Sequence, residues 1–234
     1  MKQRVRFTKV GKIRFLSHRD LARIWERSLR RSGIRVAYSE GFSPRPRLSF
    51  GLALSTGHES LGEYLDIDLA EDLDPAELPG IVTPSLPDGM VAQIALPIAA
   101  GIDSLQQAVT SSSWRIELSR VTATQVAEAI ARAIAAEELP ILVERKGKQV
   151  TLDARPAILA LRHDDVVIEA ELATQPRSLR PAELLRALDP TWGDGRVLRT
   201  HQWTLVDGAR CEPIPFGDPG TRGATSTPHA GARA

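Results

Sequence analysis

The sequence predicts an α+β protein built of two halves with the same element order, followed by an unstructured tail. Three observations predict it. Short runs of alternating apolar residues are interleaved with segments whose apolar residues recur at helical spacing. Their order over residues 1–101 is β-α-β-β-α-β, and residues 114–206 read the same way. Between the halves, residues 102–113 lose charge and end in Thr110-Ser111-Ser112-Ser113, the composition of a linker. Residues 207–234 hold 5 Gly and 4 Pro with few large apolar side chains, too little apolar surface to order a segment.

In chain order, Val5, Phe7 and Val10 among basic residues make a strand over 3–10, and Ile13–Leu16 resume an apolar stretch after Gly11-Lys12. Ser17 is a helix N-cap with Asp20 three residues on, a capping box with Asp in place of Glu. Leu21, Ile24, Trp25, Ser28 and Leu29 share one face of that helix, with Trp25 and Leu29 expected in the core. Arg19, Arg23, Arg27 and Arg30 share the other face beside Glu26, and Gly33 ends the helix. Short strands are expected at 36–38 and 48–52, separated by a loop that Pro44 and Pro46 enforce. Residues 63–69 alternate most cleanly, 75–78 suggest a short helix, and 90–96 another strand. The second half repeats the pattern: a strand at 114–118, an Ala-rich helix at 123–138, strands at 141–152 and 157–172 that are bent or split, a helix at 181–188 and a strand at 197–205. Two such units in succession fit a pair of tandem ferredoxin-like domains.

Charge is the sharpest functional signal. Residues 1–51 carry 14 Lys+Arg and 3 Asp+Glu, while the remaining 183 residues carry 16 basic and 26 acidic side chains, so a net charge of +1 conceals a polarised chain. Such a local field attracts polyanions, of which nucleic acid is the first to test. On the basic helix Arg19, Arg23, Arg27 and Arg30, with Arg14 and Arg31 nearby, would neutralise phosphates; the competing reading is a solvated helix face. In the loop, Arg45 and Arg47 alternate with prolines beside Tyr38 and Phe42, the pairing of guanidinium and ring that suits single-stranded RNA. The competing reading places both Phe42 and Phe50 in the core beneath the loop; for Phe50, on a strand, the core is expected, and for Phe42 both readings stand. His18, at the start of the helix, is a phosphate contact or, in an alternative reading, the general base of a metal-independent endoribonuclease. Asp66 and Asp68, on one side of their strand with Tyr64, form a solvated face or partner the arginine helix rather than hold a metal.

Several classes are excluded or left without support. One cysteine, Cys211, rules out internal disulfides and any multi-cysteine metal or cluster site. No phosphate-binding loop or dinucleotide fingerprint occurs, and His58-Glu59-Ser60-Leu61-Gly62 lacks the second histidine of a zinc-protease motif. No apolar run reaches the ~18 residues of a membrane span and the start lacks a signal-peptide core, so a cytoplasmic protein without cofactor is expected.

The run Arg14-Phe15-Leu16-Ser17-His18-Arg19-Asp20-Leu21, Glu26-Arg27-Ser28-Leu29-Arg30-Arg31-Ser32-Gly33, Tyr38-Ser39-Glu40-Gly41-Phe42-Ser43-Pro44-Arg45-Pro46-Arg47-Leu48-Ser49-Phe50, Glu59-Ser60, and Glu63-Tyr64-Leu65-Asp66-Ile67 resembles the radical-SAM-associated family defined by the DUF2344 domain. Arg19 stands where that family more often has Leu, and Ser28 and Ser32 where it has Ala. The resemblance covers about a quarter of the chain densely and implies a role near RNA metabolism, with RNA and a radical-SAM protein as partners and no established reaction. More distantly, the layout is similar to the repeat-processing RNA endonucleases of CRISPR systems, some of which use a histidine near the first helix. Two further readings follow from the same residues: a non-catalytic RNA-binding or accessory module, and a protein–protein adaptor whose arginine face meets an acidic partner.

Overall fold

Alternation of Val5 and Phe7 with Arg4 and Arg6 makes a strand, β1 (Lys2–Lys9), and this strand organises the first half of the protein. In the computed structural model, residues 1–99, 101–145, 147–193 and 195–214 are described. After β1 come α1 (His18–Arg31), β2 (Leu48–Phe50), β3 (Glu59–Asp68), α2 (Leu78–Val82), β4 (Ala92–Pro97), α3 (Leu105–Ala108), β5 (Val109–Glu117), α4 (Ala123–Ala135), β6 (Pro140–Arg145), β7 (Lys148–Asp153), β8 (Ile158–Asp164), β9 (Val167–Ala173), α5 (Pro181–Leu188), β10 (Arg196–Val206) and β11 (Ala209–Cys211). The class is α+β, with one large mixed sheet and few helices.

The sheet runs β4-β1-β3-β10-β5-β9-β8, with β2 added to β3 and β11 to β10; β6 and β7 form a separate hairpin. Counted within each half and leaving that hairpin aside, both halves have the strand order 4-1-3-2: β4-β1-β3-β2 and β10-β5-β9-β8. Within each half neighbours are antiparallel, and the one parallel contact is where β3 meets β10.

One face of the first half is covered by α1 and α2. Val5, Phe7, Leu65 and Ile67 meet Trp25, Leu29, Leu78 and Val82 there, and the Phe7 and Trp25 rings stand edge to face at 5.0 Å. The opposite face is also covered, because Leu105 of α3 and Ile214 close over Tyr64. Polar side chains of β1 and β3 are therefore buried, and they find partners both across the strands and in Glu212 beyond β11. Arg4 donates to both carboxylate oxygens of Asp66 at 2.7 and 3.0 Å. Tyr64 donates to Glu212, and burial followed by that carboxylate pushes the phenol above its ordinary range. In the second half α4 and α5 cover one face, where Val126, Ile130, Leu184 and Leu185 pack on Ile116 and Ile168.

The two halves share few backbone bonds. Only Leu198↔Glu59 and Arg199↔Ser60 are in register between β10 and β3, so side chains carry much of the junction. Leu54 of the first half enters the second core, Gln202 donates to the Gly62 carbonyl at 2.7 Å, and Arg199 is bidentate to Glu63. Glu59, 1 % exposed, accepts from the Gly11 amide at 2.7 Å and from Arg196 at 2.5 Å. Burial alone would raise the Glu59 carboxyl, but the bonds from Arg196 and Gly11, with the Arg196 and Arg14 charges, outweigh it and hold it below the usual range. Its contribution to stability is then fully present above the unfolded value of about 4.3 and is lost as pH falls through the lower folded value. Chemical denaturation at pH 7 should show Glu59→Gln less stable by about 1–3 kcal/mol. Repeated at decreasing pH, it should show that gap closing below about pH 4, because the wild type loses what the variant already lacks. A gap that persists unchanged into acid would refute the assignment.

Several expectations change. Residues 109–113, read as linker, form the start of β5, and 105–108 form α3. Residues 207–211, read as part of a disordered tail, turn back as β11 onto β10, and 212–214 cross the first half; 215–234 lie outside the described residues. The apolar stretch Ile13–Phe15 belongs to a 3-10 turn, where Lys9 donates to the carbonyls of Arg14 and Leu16. Residues 36–38 make only isolated bridges, and the helix expected at 75–78 begins at Leu78. The long apolar runs 141–152 and 157–172 are split into antiparallel pairs, β6 with β7 and β8 with β9. Asp66 is buried against Arg4 of β1 and Tyr64 against Glu212, so neither forms a solvated acidic face.

Candidate nucleic-acid interface

The arginine face exists because α1 is fixed at both ends and on its inner side. Ser17 caps it, accepting from the Asp20 amide at 3.2 Å while its hydroxyl donates to the Asp20 carboxylate at 2.7 Å. That hydroxyl bond, aided by the Arg23 charge, lowers the Asp20 pKa. Gly33, at φ +73°, closes the C-terminus, where the Ile34 amide reaches the Leu29 carbonyl. On the inner side Ser28 donates to the Ser85 carbonyl at 2.8 Å and Ser32 bonds the Ser85 hydroxyl at 3.1 Å, which gives both departures from Ala a structural role. Arg19, Arg23, Arg27, Arg30 and Arg31 are left exposed, with Glu26 half-buried beside them.

The 39–47 loop runs close to this helix. His18 at the helix start meets the ring of Phe50 edge to face at 5.2 Å. At the other end Arg30 and Gly33 share a groove of about 470 Å³ with Tyr38 and Pro46, floored by Leu29, Ile34, Val36 and Ala70. The base of the loop is stapled: Ser39 and Arg45 exchange bonds at 2.9 and 3.0 Å, and the Arg47 amide donates to the Ala37 carbonyl. The loop therefore presents Arg45, Arg47 and Phe42 outward, all exposed. Phe50, half-buried, packs against the first core as expected.

The basic count shrinks on folding. Arg4 and Lys2 pair with Asp66, Arg6 with Glu212, Arg14 with Glu59, Arg23 with Asp20 and Arg35 with Glu71. Lys9 is buried, and desolvation lowers its pKa against the opposing pull of Glu63. Among the described residues Arg19, Arg27, Arg30, Arg31, Arg45 and Arg47 make no ion pair, and all six lie on α1 or the adjoining loop. The open sheet face of the second half differs. Its Arg162 and Arg115 share Glu169 and its Arg210 pairs with Glu171, so each of these cations already has an acid beside the stacked His201 and Trp203 rings. The six unpaired arginines of the first half thus lie together on one helix and the loop beside it.

One member of the face escaped the sequence reading. Phe15 is 61 % exposed, with the Arg14 guanidinium 4.5 Å from its ring centre. Tyr38 and Phe42 are 56 % and fully exposed, and these three are the exposed large aromatic rings among the described residues. All belong to the basic segment. His18 is exposed and makes no hydrogen bond to an acid or base among the described residues. Those residues contain no cluster of three or more His, Cys, Asp or Glu suited to a metal, and no helix long and apolar enough to cross a membrane.

No curated protein matches the chain. The family model for an uncharacterized protein conserved in bacteria, DUF2344, matches residues 2–181, which takes in α1, the arginine loop, the β3–β4 region and most of the second half. With well over half of its length matched, the chain belongs to the DUF2344 family.

Proposed function

We propose that the protein binds single-stranded RNA through the face formed by the 3-10 turn, α1 and the 39–47 loop, and serves as a non-catalytic RNA-binding or accessory module for an RNA-modifying or RNA-processing enzyme. The observation that carries this reading is that six arginines without an ion pair and the three exposed rings occupy one segment of the chain. Arginine forks neutralise phosphates and rings take unpaired bases, the combination used by sequence-tolerant single-strand binders. A radical-SAM enzyme as the partner follows from the family resemblance, and cytoplasmic residence goes with an RNA partner. The 4-1-3-2 strand order in each half supports reading the two halves as ferredoxin-like units fused edge to edge. The endoribonuclease reading has less support, because His18 has the Phe50 ring as its neighbour rather than a second acid or base.

Fluorescence anisotropy with a single-stranded RNA tests the proposal. The logarithm of the binding constant should fall linearly with the logarithm of salt, by roughly 0.7 per phosphate neutralised. The triple variant Arg19→Ala, Arg27→Ala, Arg30→Ala should reduce that slope by about two units. Absence of binding at low salt, or a slope untouched by the triple variant, would reject the site.

A further inference from the structure

The groove at the C-terminal end of α1 contains a group that a phosphate site would exclude. Glu26 stands on its wall, half-buried, one helical turn before Arg30. Three arginines lie within four residues of it on the same helix, yet its carboxylate makes no ion pair and no side-chain hydrogen bond among the described residues. The neighbouring Arg35 is already held by Glu71 at 2.7 Å. The groove thus combines an apolar floor, the Tyr38 ring, one unpaired guanidinium beside the paired Arg35, and one free carboxylate.

An ionised carboxylate only accepts hydrogen bonds. In a groove for RNA it repels the backbone and selects a base that presents donors. Guanine places two adjacent donors, N1–H and the N2 amine, on its Watson–Crick edge, matching the two oxygens of a carboxylate. Uracil offers one donor between two carbonyls, and adenine and cytosine each set an acceptor beside their amine. We infer that this groove is a base-reading subsite for an unpaired guanine, with the base on Tyr38 and the apolar floor, its Watson–Crick edge on Glu26 and an adjoining phosphate on Arg30. A paired guanine has that edge occupied, so the subsite also rejects duplex. The inference rests on the RNA-binding reading.

Anisotropy titrations with labelled oligouridylates of roughly eight nucleotides, a length within the span of one such binding unit, test it. The probes carry one central guanosine, inosine or adenosine, or none. Inosine keeps N1–H and lacks the N2 amine. The wild type should bind the guanosine probe about tenfold tighter than the inosine probe. Glu26→Ala, and the near-isosteric Glu26→Gln as a guard against a fold defect, should abolish that preference and bind plain oligouridylate as tightly as the wild type or tighter. Equal binding of the guanosine and inosine probes by the wild type overturns the subsite, as does a preference that survives both substitutions. Plain oligouridylate separates the two claims: if it binds, only the subsite falls, and if no probe binds, the RNA reading falls with it.

Discussion

Arg199→Met should destabilise the protein by about 3–5 kcal/mol, the largest effect expected of any single substitution considered. Arg199 is 1 % exposed and donates to both oxygens of Glu63 at 2.6 and 2.7 Å, with further bonds to Glu63 through Nε at 3.0 Å and to the Leu52 carbonyl at 3.0 Å. Its guanidinium also lies 5.3 Å from the Trp114 ring centre. Removing it leaves the buried Glu63 carboxylate with Lys9 as the cation acting on it, and Lys9 is committed to the carbonyls of Arg14 and Leu16. The cost comes chiefly from the stranded charge, not from the net worth of the pair. The double variant Glu63→Leu, Arg199→Met should therefore recover most of the loss. Because β3 and β10 share only two residues in register, the single variant should also separate the halves in unfolding, giving two transitions where the wild type gives one. Urea denaturation followed by tryptophan fluorescence and by circular dichroism tests both points. An Arg199→Met protein within about 1 kcal/mol of wild type would show that the junction is held by apolar contact instead.

What could be read from the sequence depended on whether the partners were local. The first helix was legible to its ends because Ser17, Asp20 and Gly33 act within one turn of the residues they cap. Its inner and outer faces followed from spacing alone, and α5 was legible at 181–188 for the same reason. β5 was not legible. Its serines read as linker because their partners lie far along the chain: Ser111 donates to Glu171, and Ser113 accepts from the Trp203 indole at 2.8 Å. Central strands admit small hydroxyl residues when neighbouring strands supply such bonds, and no local window contains them. The charge count misled in the same way. It treated Arg4 and Arg6 like the helix arginines, whereas Asp66 and Glu212, far away in sequence, bury them. The cations of α1 and the loop differ, because among the described residues Arg19, Arg27, Arg30, Arg31, Arg45 and Arg47 meet no such distant acid.

Phe15 failed to register for a conformational reason, and that bears on the size of the stacking contribution. As part of a strand it would alternate into the core; the 3-10 turn that Lys9 pins turns it out beside Arg14 instead. Replacing Phe15, Tyr38 and Phe42 together with Ala should lower affinity for single-stranded RNA by about 100-fold or more, since each stacked base is worth about 1–3 kcal/mol by such substitution. The dependence on salt should stay that of the wild type, because no phosphate contact is removed. The arginine triple variant should do the reverse, flattening the slope while keeping the rings. Duplex RNA, whose bases are already stacked, should bind both the wild type and the ring variant with similar strength. Thermal stability should hold, because all three rings are exposed. Unchanged RNA affinity in the ring variant would assign the rings to a protein partner and leave the arginines as the whole of the RNA contact.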